Sequence, residues 1–390
     1  MPLARVTPIE PIVDCLAGAP PAESLCSLTD EDWESLVIAA IALGLAPLFH
    51  YHLAHLDLTP PPLALAKLAV TRQAHTKRNE AIGGQLAELL AAFAAQKIEV
   101  IVLKGAFLAS TAYPEPGLRP MNDIDLLFRP EDLAEVGPVL EGLGYHGKHK
   151  PAGQGPGVAK HLSTYRREVG EGATPNPYLS AGGERMVEPH GSLEESWFGL
   201  TVDITPGVWD RAISLTLSGQ PAYRLSTNDL LLHLAVHATF HVIMGAAVFV
   251  QLYDLKQVLA TWGHEIDWPQ LLRLARAAQA QPFLYAGLYW ARQLYRAPIP
   301  QPTLTTLAQE CPPYLATYIQ SLGAVGIFER SQQPPLVTLR QRLRRGLSDR
   351  RETARWAGSW SGKWKVWQTA LAFYKTDTAH LWRQKLKAQA

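Results

Sequence analysis

Two short apolar segments, the second of which carries two aspartates, constrain the fold of this chain most strongly. Residues 98–103 read IEVIVL, a run rich in β-branched residues that predicts a buried strand. Residues 123–128 read DIDLLF. Because strand side chains alternate between two faces, Asp123 and Asp125 are predicted to share one face while Ile124 points into a core. Two carboxylates held side by side predict a site for a divalent cation such as Mg²⁺.

The segment between these two strands supplies positive charge and a glycine. Lys104 and Gly105 follow the first strand directly, and residues 106–113 favour a short helix that ends before Pro114. A glycine at such a junction lets phosphate approach the backbone, and a helix N-terminus favours anions. We therefore expect Lys104 and Gly105 to contact a triphosphate. Arg119, in the following loop, either neutralises the same phosphates or braces the loop through a salt bridge.

The pattern around this centre is mainly helical and predicts an α+β fold with an α/β-like core. A small mixed β-sheet is expected to carry the carboxylates, with flanking helices and a helical C-terminal domain. Residues 161–169 and 185–188 are predicted to pair as a hairpin, and residues 63–96 to form one helix or two, with Gly83-Gly84 as the weak point. The predicted divisions are an N-terminal helical region that packs on the catalytic domain (1–96), the catalytic domain (97–220), a helical domain (221–330) and a basic helical tail rich in tryptophan (331–390).

The order of strand, Lys-Gly, short helix and Asp-x-Asp strand resembles the nucleotidyltransferases of the DNA polymerase beta superfamily. More narrowly, it resembles a poorly characterised bacterial branch that carries LKG, a downstream arginine and DIDLL, and the resemblance extends over residues 28–295. Members of the superfamily usually have Gly-Ser or Gly-Gly where this chain has Lys104-Gly105. The branch also has a Glu-x-His strand, which Glu188 and His190 match. The resemblance therefore makes Glu188 the third carboxylate of the site, with His190 orienting a carboxylate or lining the site.

This resemblance implies the transfer of a nucleoside monophosphate from an NTP, dependent on Mg²⁺ or Mn²⁺, with release of pyrophosphate. It implies that the metal ligands and catalytic residues are Asp123, Asp125 and Glu188, and that the NTP-binding residues are Lys104, Gly105 and Arg119. It does not fix the acceptor, which is a small molecule, a protein or RNA. The alternatives are a non-catalytic NTP-binding or adaptor protein and a toxin-like enzyme that nucleotidylates tRNA or a protein.

Three histidines recur at helical spacing beyond this region. His233, His237 and His241 lie four residues apart, so they share one helix face. That spacing suits zinc, yet no HExxH glutamate accompanies it, and packing against the catalytic domain is favoured. Asp254 is predicted to be a salt-bridge partner or a helix cap.

The C-terminal tail is basic although the whole chain carries a formal charge of only +1. Fourteen of the 36 Lys/Arg but only four of the 35 Asp/Glu lie from Glu329 onward. Trp356, Trp360, Trp364 and Trp367 have the spacing of one helical face. That face is predicted to pack on the helical domain, to contact an anionic membrane or another protein, or to hold nucleic acid.

The cellular compartment is predicted from what the sequence lacks. The three cysteines are scattered, without the spacing of a metal site, as is usual in a reducing compartment. Neither a signal peptide nor a long uncharged apolar run is evident. We therefore expect a cytoplasmic protein with at most a surface contact to membrane.

Overall fold

A mixed seven-stranded sheet forms the centre of the fold, which the computed structural model describes for residues 8–18, 23–147, 163–169, 183–332 and 339–369. Its strands are β1 (Ile101–Val102), β2 (Asp123–Leu127), β3 (His146–Gly147), β4 (Tyr165–Val169), β5 (Gly183–His190), β8 (Ile213–Leu217) and β9 (Gln220–Arg224), while β6 (Glu194–Trp197) and β7 (Leu200–Asp203) form a separate hairpin. The strand order is β3-β4-β5-β2-β1-β9-β8. This mixed sheet among many helices confirms the predicted α+β class.

Strand β2 lies near the middle of the sheet and carries both aspartates. It runs antiparallel to β1 and parallel to β5, and the β5 register places Asp125 opposite Glu188. Ile124 and Leu126 are buried in the core, as the alternation of the strand predicts. The pairing of β2 with β5 therefore brings two carboxylates together that are far apart in the sequence.

Strand β5 pairs with β4 on its other side. The two strands are antiparallel, which confirms the predicted hairpin, although residues 161 and 162 lie outside the described part of the chain. The β4 pairing ends at Val187, opposite Tyr165, and Pro189 lies beyond it. Because proline cannot donate to a ladder, its place past the end of the β4 pairing explains how β5 accommodates it.

The hairpin of β8 and β9 closes the other edge of the sheet and was not predicted from the sequence. Strand β9 runs parallel to β1, with Tyr223 opposite Ile101. The Tyr223 hydroxyl donates a hydrogen bond of 2.7 Å to Glu99, just before β1. The hairpin therefore straddles residue 220, where the sequence places a boundary, and the four-part division stays a prediction.

The N-terminal region is helical, as the sequence predicts. Its helices are α1 (Ile9–Ala17), α2 (Glu23–Cys26), α3 (Asp30–Ala42), α4 (Ala46–Leu53) and α5 (Pro62–Ala95). A capping box between Thr29 and Asp32 begins α3, and Gly44, with a φ of 70°, separates α3 from α4. Helix α5 continues through Gly83-Gly84 without a break, so one helix forms and not two.

The remaining helices surround the sheet and build the C-terminal half. They are α6 (Lys104–Thr111), α7 (Leu133–Gly142), α8 (Thr227–Met244), α9 (Phe249–Trp262), α10 (Trp268–Ala277), α11 (Gln281–Tyr295), α12 (Gln301–Glu310), α13 (Pro313–Ser321), α14 (Ala324–Ser331) and α15 (Leu339–Trp356), and residues 360–369 are also helical. Helix α8 is buried along almost its whole length and packs against α9 and α11. Among the described helices, none has the length and apolar character needed to cross a bilayer.

Helices from the two halves of the chain pack against each other. Helix α1 contacts α4 of its own region and also α11 and α14. The ammonium of Lys256, on α9, donates a hydrogen bond of 2.8 Å to the carbonyl of Leu16. The N-terminal helices therefore help to cover the C-terminal helices as well as the sheet.

Candidate active site

A cavity of about 470 Å³ opens over the middle of the sheet and contains every site residue that the sequence predicts. These lining residues are Lys104, Gly105, Arg119, Asp123, Asp125 and Glu188. Their common location follows from the strand order, since β2 lies between β1 and β5 and α6 begins directly beyond β1. Helix α8 and the β6–β7 hairpin supply further walls.

The carboxylates of β2 and β5 form the floor of this cavity. Asp125 is 3% exposed, and its oxygens lie within 4.8 Å of ligand atoms of Glu188 and His190. This is the only group of three potential metal ligands found among the described residues, and Asp123 is not part of it. His190 thus lies beside the two carboxylates of this group, and Asp123 lies next to Asp125 on the same strand face.

Asp125 is the electrostatic centre of the site. Lys104 Nζ lies 2.8 Å and His190 Nε2 2.7 Å from the same oxygen, Asp125 Oδ1. Burial alone raises the pKa of Asp125, but the Lys104 charge and the His190 hydrogen bond outweigh it and hold the pKa well below its usual range. The carboxylate is therefore ionised, and His190, which is fully buried, orients it.

The pKa values of Lys104 and Asp123 are both shifted by burial and by the charged groups around Asp125. Burial opposes the Lys104 ammonium, but Asp125, Glu195 and Asp123 outweigh it and raise the Lys104 pKa. Burial and the neighbouring Asp125 raise the pKa of Asp123, against the effect of Lys104 and Arg119. Lys104 also has a φ of +42°, a conformation that few residues other than glycine adopt. Such local strain at a charged site is typical of functional positions.

Arg119 is held by an ion pair. Its Nε and Nη2 lie 3.2 Å and 2.8 Å from the two carboxylate oxygens of Asp254, on α9. Tyr113 donates a hydrogen bond of 2.7 Å to the same carboxylate, and Asp254 is fully buried. This is the bracing role considered for Arg119, and it confirms Asp254 as a salt-bridge partner. A role of Arg119 towards phosphate stays a prediction.

Gly105 allows Arg119 to reach this position. A Cβ atom on Gly105 would overlap the Arg119 guanidinium and lie 3.1 Å from the Cβ of Met121. The glycine predicted for close approach of phosphate therefore already serves a close approach of a side chain. Its amide lies at the start of α6, where the helix dipole favours negative charge.

Glu195 is a cavity residue that the sequence analysis missed. It is 6% exposed, and its Oε1 lies 2.8 Å from Nδ1 of His237 on α8. Burial lowers the pKa of His237 well below its usual range, as do Lys104 and His241, while Glu195 opposes them. No sequence pattern marks Glu195, because it reaches the cavity only through the packing of β6 against α8.

The three histidines of α8 pack against one another, and two of them also line the cavity over the sheet. The ring centroids of His233 and His237 are 6.0 Å apart, and those of His237 and His241 are 4.2 Å apart. His237 and His241 line the cavity, and the bond from His237 to Glu195 joins α8 to the β6–β7 hairpin. The rings of His237 and His241 therefore form part of the cavity wall.

The chain is similar to a described protein family and to solved structures of other proteins. A family model described as an uncharacterised nucleotidyltransferase matches residues 29–296. A solution structure of the antibiotic-resistance factor ANT(2″)-Ia is similar at 12% identity and a TM-score of 0.33, covering 54% of this chain and 96% of that one. An antigenic nucleotidyltransferase-like protein from Paracoccidioides brasiliensis is similar at 13% identity and a TM-score of 0.32, covering 54% of this chain and 94% of that one.

The search among curated proteins found no match. The family model, in contrast, covers more than half of the chain and spans the cavity, the sheet and helices α8 to α11. The chain therefore belongs to this family of nucleotidyltransferases.

Proposed function

We propose that the chain transfers a nucleoside monophosphate from an NTP to a hydroxyl or phosphate acceptor and releases pyrophosphate. The observation that carries this proposal is the register of β2 and β5, which sets Asp125 beside Glu188 at the floor of a cavity. Asp123 extends the acidic floor, and Lys104 supplies a buried positive charge. The acceptor is a small molecule, a protein or RNA.

The residues at the floor fit a divalent metal. Oxygens of Asp125 and Glu188 and a nitrogen of His190 lie within 4.8 Å of one another, and hard carboxylate oxygens suit Mg²⁺ or Mn²⁺. Asp123, Asp125 and Glu188 would hold the ion, with His190 fixing the Asp125 carboxylate. When bound, the ion supplies positive charge that stabilises the phosphates of the NTP.

The proposed chemistry is an in-line displacement at the α-phosphorus of the NTP. A bond forms between the acceptor oxygen and the α-phosphorus, and the bond from that phosphorus to the oxygen bridging to the β-phosphate breaks. The acceptor proton moves to the Glu188 carboxylate, and pyrophosphate leaves with the electron pair. Lys104, Arg119 and the Gly105 amide neutralise and position the triphosphate.

Radiolabelled NTPs, Mg²⁺ and a cell extract as the source of acceptors test this function. Transfer of label should disappear in the Asp123→Asn/Asp125→Asn variant, and Glu188→Gln should slow it by about 100-fold or more, as expected for loss of a general base. Glu135→Gln, an exposed change on α7, is the matched control and should transfer label normally. Label transfer that survives the double aspartate change would refute the proposal.

One observation favours a non-catalytic NTP-binding or adaptor protein as the second candidate. The Lys104 ammonium already contacts Asp125, and Arg119 is already paired with Asp254. Both cations are thus neutralised by protein carboxylates. If NTP and Mg²⁺ raise the melting temperature but no acceptor in the extract yields pyrophosphate, this second function holds.

A further inference from the structure

The helix of residues 360–369 turns three tryptophans towards solvent. Trp360 is 88% exposed, Trp364 is 63% exposed and Trp367 is 39% exposed. Their spacing of four and three residues places them on one side of the helix, here called the tryptophan face. Exposed tryptophans in such a group are unusual on a soluble surface and mark an interaction site.

Trp356 ends α15, and the non-helical residues 357–359 separate it from Trp360, so the single helical face predicted for the four tryptophans does not form. Trp356 is 2% exposed, and its ring lies 5.5 Å from Phe283 and 6.4 Å from Trp290, measured between centroids. Its indole Nε1 donates a hydrogen bond of 3.2 Å to Glu352. Packing on the helical domain, one role considered for all four tryptophans, is therefore filled by Trp356 alone.

The helix that carries the tryptophan face is itself firmly packed. Val366, on its opposite side, is fully buried. Arg350 of α15 donates hydrogen bonds of 3.1 Å to the hydroxyl and to the carbonyl of Thr369. Gly199, in the β6–β7 turn, lies against the backbone of Lys365. The exposure of the three tryptophans is thus a property of a packed helix.

The chain segment that carries the tryptophan face is rich in basic residues. Residues 339–369 contain nine Arg/Lys and two Asp/Glu. Both acids are paired within the segment or beside it, Asp349 with Arg345 and Glu352 with Arg355. The Lys363 ammonium lies 5.5 Å from the ring centroid of Trp360. The segment therefore combines exposed aromatic rings with a net positive charge, which is complementary to an anionic partner.

Two kinds of anionic partner, nucleic acid and a lipid bilayer, suit this positive charge. Exposed leucines distinguish between them. Leu343 is 43% exposed and Leu347 is 54% exposed, one turn apart on α15. Nucleic acid would contact the arginines and stack on the tryptophans, but the leucines would gain nothing from phosphates or stacking. A bilayer interface accommodates leucine, tryptophan and basic side chains together.

The distribution of charge along the chain also favours an orientation in which the basic C-terminal part faces an anionic surface. The part before Glu329 holds 22 Lys/Arg against 31 Asp/Glu, whereas the part from Glu329 onward holds fourteen against four. An anionic surface attracts the basic end and repels the acidic body. We propose that the tryptophan face and the adjoining basic helix α15 dock the protein on an anionic lipid bilayer. This inference does not depend on nucleotidyl transfer.

Sedimentation of the full chain with lipid vesicles tests the docking surface. The protein should sediment with vesicles of phosphatidylglycerol and phosphatidylcholine but not with phosphatidylcholine alone, and salt rising from about 0.05 to 0.5 M should weaken this binding. Its tryptophan fluorescence should shift to the blue. The Trp360→Ser/Trp364→Ser/Trp367→Ser variant should bind more than about tenfold less tightly, because the buried aromatic area is lost.

Matched variants distinguish binding by the tryptophan face from non-specific hydrophobic binding and from the effects of misfolding. Leu63→Ser/Val70→Ser removes two side chains of α5 that are 64% and 62% exposed, and it should bind vesicles as the wild type does. Lys363→Glu/Lys365→Glu keeps the tryptophans but should also lose binding to anionic vesicles. The lysine variant and the tryptophan variant should both keep the wild-type melting temperature.

Three results would overturn the proposal. The first is no binding of the wild type to anionic vesicles, and the second is binding that the tryptophan and lysine variants leave unchanged. The third is retention of an RNA oligonucleotide that the tryptophan variant loses while vesicle binding persists, which would assign the face to nucleic acid.

Discussion

The buried pair of Arg119 and Asp254 joins the loop before β2 to helix α9 at the wall of the cavity. The guanidinium contacts both carboxylate oxygens, and Tyr113 donates to one of them. Gly105 leaves the space in which the guanidinium lies. If Asp254 is removed, the nearly buried Arg119 guanidinium keeps its charge without the carboxylate that compensates it, and an uncompensated buried charge is costly.

We expect Asp254→Ala to lower the free energy of unfolding by about 3–5 kcal/mol, as measured by urea denaturation. The control is Glu310→Ala, which removes the partner of Arg276 from a pair that is 25% and 46% exposed at its two side chains. That change should cost at most about 1 kcal/mol. Equal losses in the two variants would contradict the bracing role of Asp254.

Residues of the site were predictable where the cause is local. Asp123 and Asp125 share a face because strand side chains alternate, and that rule needs only the sequence between them. The ion pair between Lys104 and Asp125 and the hydrogen bond from His237 to Glu195 depend on which strands and helices become neighbours. Single-sequence patterns carry no information about such contacts, so these partners emerged only from the fold.

Among the elements, α5 shows how tertiary packing overrides a weak local signal. The pair Gly83-Gly84 lies within a 34-residue helix that continues unbroken, with Ile82 and Leu86 buried on either side of the glycines. Those contacts stabilise the helix more than the glycines weaken it. The hairpin of β8 and β9 was missed because its local sequence does not favour strands. Pro221 argues against a strand, and Ile213 is exposed at the edge of the sheet.

Two glycine substitutions should change the free energy of unfolding in opposite directions. Gly84 is exposed, and a Cβ there meets nothing within 4 Å, so Gly84→Ala should stabilise by about 0.5–1 kcal/mol through helix propensity. A Cβ on Gly287, in α11, would lie 2.8 Å from Ala235 Cα of α8. Gly287→Ala should therefore destabilise by about 1–3 kcal/mol through overpacking. Urea unfolding measures both, and a gain in stability for Gly287→Ala would argue against close packing of α8 and α11.

At the scale of the whole molecule, N-terminal and C-terminal helices pack against one another around the central sheet. Helix α1 packs on α11 and α14, and His52 on α4 lies 2.9 Å from the hydroxyl of Tyr253 on α9. These contacts join regions that the sequence divides, because local patterns predict helices but not their partners. They also bury titratable groups, so the stability of the fold depends on pH.

Acid should weaken the fold through buried histidines. Burial, reinforced by Arg78, lowers the pKa of His75 from 6.5 to about 4, and burial lowers that of His52 to about 4 as well. The unfolded chain therefore binds more protons than the folded chain between pH 6.5 and 4, so stability falls as the pH falls through this window.

His75→Gln removes one of these groups and tests this pH dependence. It should reduce the slope of unfolding free energy against pH by up to one proton, about 1.4 kcal/mol per pH unit. Urea unfolding at several pH values between 4 and 7 gives the slope, and comparing slopes separates the titration from any constant loss of packing in the variant. The control is Gln73→Ala, an exposed change on α5 that removes no titratable group and should keep the wild-type slope. An unchanged slope in His75→Gln would show that His75 binds its proton equally well in the folded and unfolded chains.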